Sequence, residues 1–169
     1  MSPFAIHKVK FGAGWLALSP LPGRNGDLAH DVEVVAEWGA ELVLSMTTLP
    51  EMEVAGTAEL AEQLRKAAIA WRHLPVDDFG TPGEVVEQRW PEVASEIRTI
   101  CARGGSVLIH CMGGCGRSGM AILRLLVESG EDAPKALARL RNVRPCAVET
   151  DSQMEWALTA VRNVDWGGE

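Results

Sequence analysis

The stretch VLIHCMGGCGRSGM, residues 107 to 120, runs from a β-branched apolar segment through a glycine-rich loop carrying a cysteine into the start of an apolar helical pattern. A strand, a tight loop and a helix are predicted in that order. The glycines at 113, 114, 116 and 119 permit backbone dihedrals that a Cβ would oppose, so successive amide N–H groups can turn toward one anion. Met120 to Val127 reads as a largely buried helix, so the loop lies at a helix N-terminus, where unpaired N–H groups and the macrodipole favour negative charge. Met112, Gly113, Gly114, Cys115, Gly116 and Arg117 are therefore the candidate phosphate-binding residues, forming a cup.

The side chains around the cup supply the chemistry. The inward N–H groups and the helix terminus favour the thiolate of Cys111, which makes it the candidate nucleophile. Arg117 offers a planar fork that fits two phosphoryl oxygens and grips more strongly as charge spreads in a transition state. Ser118 can hydrogen-bond the sulfur as it leaves. His110 is expected to orient the loop rather than act as a base, because the loop already activates the thiol.

Outward from this stretch the chain alternates between strand and helix patterns. Strands are expected at 15–18, 42–46, 69–74 and 107–110, with helices at 27–38, 58–68, after the loop, at 133–141 and at 151–162. Thr81, Pro82, Gly83 and Glu84 read as a capping box that opens a further helix, which Pro91 is expected to kink or divide. The fold class is α/β, a mostly parallel central sheet flanked by helices, with the loop at the carboxyl end of a strand. With 169 residues, 47% of them hydrophobic, residues 1–169 are read as a single domain.

The loop resembles that of the cysteine-dependent protein phosphatases of the dual-specificity type. LSPLPG at 18–23, HLPVDDFGTPG at 73–83 and VRPCAVETDSQ at 143–153 are similar to landmarks of the kinase-associated phosphatase subgroup, in the same order. The resemblance implies a phosphoprotein phosphatase acting on tyrosine and, beyond it, serine or threonine esters. It implies in-line attack by Cys111, a phosphocysteine, and Asp78 as the acid that protonates the leaving oxygen and then activates water. Asp77 is the runner-up for that role. The resemblance also sets Gln153 in the segment that positions water in larger tyrosine phosphatases; the residues themselves read as a Thr150–Gln153 capping box opening the last helix, whose Met154, Leu158 and Val161 share one face. Small phosphate esters or phospholipids as substrates, and a phospho-binding module without catalysis, are the alternatives.

No cofactor and no metal are implied, since the histidines at 7, 30, 73 and 110 lack ligand spacing. Phosphate, sulfate or vanadate is expected in the loop. A net charge of −7 disfavours nucleic acid and anionic membranes as partners. Arg139, Arg141 and Arg144 form a basic stretch that either draws anionic substrates to the rim or complements a helix end. The N-terminus has no signal-like apolar core, so a cytoplasmic location is expected, where four cysteines do not form a disulfide framework. Cys115 and Cys146 are candidates for capturing an oxidised Cys111.

Overall fold

The computed structural model describes residues 3–163. Its centre is a five-stranded sheet built from β1 (His7–Phe11), β2 (Gly14–Ser19), β3 (Ala40–Ser45), β4 (Ala70–His73) and β5 (Ser106–His110), in the order β1-β2-β5-β3-β4. β2, β5, β3 and β4 run parallel, and β1 folds back antiparallel along β2 as an edge. β1 lies outside the strands expected from the sequence. The signal was there, since Val9 and Phe11 are buried while Lys8 and Lys10 alternate outward and lie over the Trp15 ring at 4.7 and 4.9 Å.

Both faces of the sheet are covered, which is why its central strands read as continuous apolar runs. Leu16, Leu18, Leu42, Leu44, Val107 and Ile109 face a core shared with α4 (Glu84–Ala102), α5 (Gly116–Glu128), α6 (Ala133–Val143) and α7 (Asp151–Asn163). Ala17, Val43 and Leu108 face the opposite core, closed by α1 (Leu28–Trp38), α2 (Leu49–Val54) and α3 (Leu60–Lys66). α1 starts and stops where expected: Asp27 caps the N–H of His30, and Gly39 closes the helix at φ 95°.

Three expectations are corrected. Pro91 does not divide α4, which runs through it as one element, because a proline forfeits a single intrahelical bond while Trp90, Val93, Ala94 and Ile97 anchor the helix on either side. No capping box forms at 81–84: Gly83 is the N-cap, so Glu84 sits at the first helical position and cannot reach back. The four cysteines include one disulfide, Cys115–Cys146, with Cα atoms 5.2 Å apart, while Cys101 and Cys111 are free. Of the apolar stripe on α7, Met154 and Leu158 pack against the core, and Val161 lies outside the residues whose side chains are described.

Candidate active site

β5 is the central strand of the sheet, and it ends at His110; the cup follows, and α5 begins at Gly116. The carbonyls of Met112 to Cys115 are all taken by partners outside the loop. Met112 O accepts from Leu21 N and from Arg24 Nη1, Gly113 O and Gly114 O accept from Arg144, and Cys115 O accepts from Gly119 N and Val148 N. Among the described residues, none of the N–H groups of Met112 to Cys115 has a protein acceptor. Gly114 is forced: at φ 75° its Cβ would stand 2.6 Å from the Ser19 carbonyl carbon.

Cys111 is 2% exposed, and its Sγ lies 3.2 Å from Ser118 Oγ, as a hydroxyl that stabilises a sulfur anion requires. His110 is fully buried. The Trp71 indole N–H donates to Ser45 Oγ (2.8 Å), and Ser45 Oγ is 2.5 Å from His110 Nε2. Cys111 O can only accept, so Nδ1 carries the ring proton and donates to it (3.2 Å); in the neutral ring Nε2 then accepts from the Ser45 hydroxyl, whose oxygen in turn accepts from the indole. Burial, offset in part by that bond to Cys111 and reinforced by Arg117, pushes the His110 pKa down to about 4. The ring is neutral at pH 7.

Arg117 does not present its fork to the cup alone. Nη1 and Nη2 each donate to Glu51 at 2.8 Å, Nη1 also donates to Val76 O, and Nη2 lies 3.2 Å from Asp78 Oδ1. Nε is buried and has no partner. A guanidinium at 1% exposure needs a counter-charge, and α2, absent from the sequence reading, delivers it. Thr48 and Glu51 form a capping box with Pro50 in the first turn, a pattern legible as Thr-Leu-Pro-Glu at 48–51. Partial burial alone would raise the Glu51 carboxyl, but hydrogen bonds from Arg117 and Thr48, together with the arginine's charge, hold it below the ordinary range.

Asp78 stands in the segment after β4, half exposed, beside Phe79 at φ 62°. Asp77 is exposed, and its carbonyl closes a turn with Gly80 N. Gln153 serves as the cap of α7 and as a tie to this segment. Its Oε1 accepts from Glu149 N and Thr150 N, Thr150 Oγ1 accepts from Gln153 N, and Nε2 donates to Gly80 O at 3.1 Å. Of the three arginines in the basic stretch at the end of α6, Arg139 pairs with Glu131, Arg141 binds Ala147 O and Val148 O, and Arg144 binds the loop. They stitch chain to chain instead of standing free. Cys115 and Cys146 are bonded to each other, so neither is left to capture Cys111.

Residues 39–163 match the family described as dual specificity phosphatase, catalytic domain. The chain belongs to the dual-specificity phosphatases. It is 31% identical over 151 residues to cyclin-dependent kinase inhibitor 3 of Mus musculus, covering 84% of this chain and 69% of that protein. Its fold superposes on a crystal structure of kinase associated phosphatase bearing serine at the catalytic-site cysteine, with a TM-score of 0.83, 22% identity and 99% of each chain covered. The active form of Tk-PTP aligns with a TM-score of 0.72 at 29% identity, over 88% of this chain and 92% of that one. As a member of this family the chain is a cysteine-based protein phosphatase.

Proposed function

We propose that this dual-specificity phosphatase hydrolyses phosphoprotein monoesters with Cys111 as nucleophile, Arg117 as the phosphoryl-binding cation and Asp78 as general acid and base. The observation that carries the assignment is the row of unaccepted N–H groups at 112–115, with its carbonyls tied outward and a cysteine bonded to Ser118 at its edge. A phosphoryl group in this cup meets donors preorganised before it arrives. Sulfur attacks phosphorus in line, Asp78 gives its proton to the departing oxygen, and Ser118 holds the thiolate when water later releases phosphate. Arg117 brings its buried Nε–H to the phosphoryl oxygens while Glu51 keeps the guanidinium plane fixed.

The exposed surface beside Glu51 and Asp78 supports phosphoproteins over compact esters. Clefts of about 450 and 520 Å³ adjoin the loop at Gly113 and Met112, with Arg24 shared between them. Leu49, Val54 and Phe79 stand exposed near Glu51 and Asp78 and offer apolar contact to flanking side chains.

The test is hydrolysis of an aryl phosphate and of a phosphotyrosine peptide in the presence of a metal chelator. Turnover that vanadate inhibits and Cys111→Ser abolishes is the expected result. Turnover of thiosulfate or arsenate in its place would assign the cysteine to sulfur or redox chemistry.

A further inference from the structure

Resting on that reading of the loop, we propose that Cys115 and Cys146 form a reversible redox clasp that holds the catalytic loop in its phosphate-receptive shape while leaving Cys111 as a free thiol. The disulfide joins the N-cap of α5, inside the cup, to the segment between α6 and α7. That segment is a strap. Alternate residues along it grip the loop: Arg144 binds Gly113 O and Gly114 O, Cys146 is bonded to Cys115, and the N–H of Val148 donates to Cys115 O. The strap's far end is held by Arg141, which donates to Ala147 O and Val148 O.

Val148 gives the clasp leverage. It is a buried β-branched residue at φ 68°, a conformation such side chains resist unless their surroundings impose it. With the sulfurs joined, the strap is held by a covalent bond as well as by hydrogen bonds. With them separate, only the hydrogen bonds of Arg141, Arg144 and Val148 oppose the relaxation of Val148, and each bond to the loop that is lost frees a carbonyl on the outer side of the cup. A chain with two extensive apolar cores has no need of a disulfide to fold, which sets this one apart from the staples of small secreted domains.

Access fits reversible exchange. Cys146 is exposed and Cys115 half-buried, whereas Cys111 is buried and burial pushes the Cys101 thiol up to about 11. The oxidant class is a low-molecular-weight disulfide such as glutathione disulfide. The Cys146 thiolate attacks it and expels one glutathione thiolate; the Cys115 thiolate then attacks the Cys146 sulfur of the mixed disulfide and expels the second. Two protein thiols are oxidised, and one glutathione disulfide is reduced to two thiols.

The experiment equilibrates the purified protein in glutathione buffers from reducing to oxidising, counts thiols by intact mass after denaturing alkylation, and measures kcat/KM on an aryl phosphate together with the melting temperature. Thiols should fall from four to two with no glutathione adduct, and kcat/KM should rise about tenfold, less than the roughly hundredfold that a full 1 Å misplacement costs. Cys146→Ser and Cys146→Ala should stay at the reduced wild-type rate in every buffer, and their melting temperature should not respond. Equal rates in the two wild-type states, a disulfide that includes Cys111, or no disulfide in folded protein at any poise would overturn the proposal. If no phosphate ester is hydrolysed in any buffer, the phosphatase assignment has failed. The thiol count and a melting temperature that rises on oxidation in wild type alone then decide for the clasp, and a flat one decides against it.

Discussion

Glu51 holds both terminal nitrogens of Arg117 at 2.8 Å, across a separation of 66 residues. The pair is nearly closed to solvent on the arginine side, so removing the carboxylate strands a buried cation. Glu51→Gln is expected to lower the stability to denaturant by about 2 kcal/mol, below the full cost for a buried pair because the glutamate is partly exposed. It should also raise KM for an aryl phosphate and lower kcat, since an unbraced guanidinium is a poorer fork. Unchanged kinetics in a folded variant would remove Glu51 from the positioning of Arg117.

Asp78→Asn keeps the volume and removes the acidic proton that can be passed to the leaving oxygen. Loss should be about a hundredfold or more on an alkyl phosphate, where the leaving oxygen needs protonation, and under about tenfold on an activated aryl phosphate. Equal losses on the two substrates would mark Asp78 as a structural partner of Arg117. Asp77→Asn should be close to neutral on both, as its side chain lies outside the Arg117 ion pair.

His110 makes stability depend on pH. Its folded pKa of about 4 lies below the ordinary 6.5, so between those values the unfolded chain binds the extra proton and the folded one does not. The contribution is complete above pH 6.5 and is lost as pH falls toward 4, an effect on the order of 3 kcal/mol. Denaturant melts at pH 7.5 and pH 5 should show wild type losing more stability than His110→Gln. Parallel losses would mean that the histidine is not held neutral.

Gly114→Ala should be among the most damaging small substitutions. Its positive φ and the backbone of Ser19 and Pro20 both oppose a methyl group, for about 2–3 kcal/mol of destabilisation. The loop can yield only by turning its N–H groups, so phosphate affinity should drop with stability. Competition by inorganic phosphate against an aryl substrate measures this, and an unchanged inhibition constant would show that the loop adapts.

Much of this architecture was legible because its signals were local. The β5–loop–α5 unit, the extent of α1 and the Thr150–Gln153 box each lie within one stretch of chain. What escaped depended on distance. β1 is stabilised by β2 and the Trp15 ring, and α2 is a six-residue helix, too short to show an apolar face. The Thr-Leu-Pro-Glu box at 48–51 could have revealed α2, yet the similar Thr-Pro-Gly-Glu at 81–84 forms no cap. In one the threonine is the N-cap; in the other Gly83 takes that place, and the pattern alone does not say which. Glu51 as the partner of Arg117, and the use of Arg144 as a brace, follow from packing between segments far apart in sequence.

The bond from Gln153 Nε2 to Gly80 O spans 73 residues and joins the seventh helix to the segment carrying Asp78. A nascent polypeptide that has emerged only through Ser118 carries the proposed nucleophile, cation and acid, yet lacks the latch that ties the acid's segment to the last helix. On the proposed mechanism, the acid's segment is therefore fastened last, when the seventh helix docks.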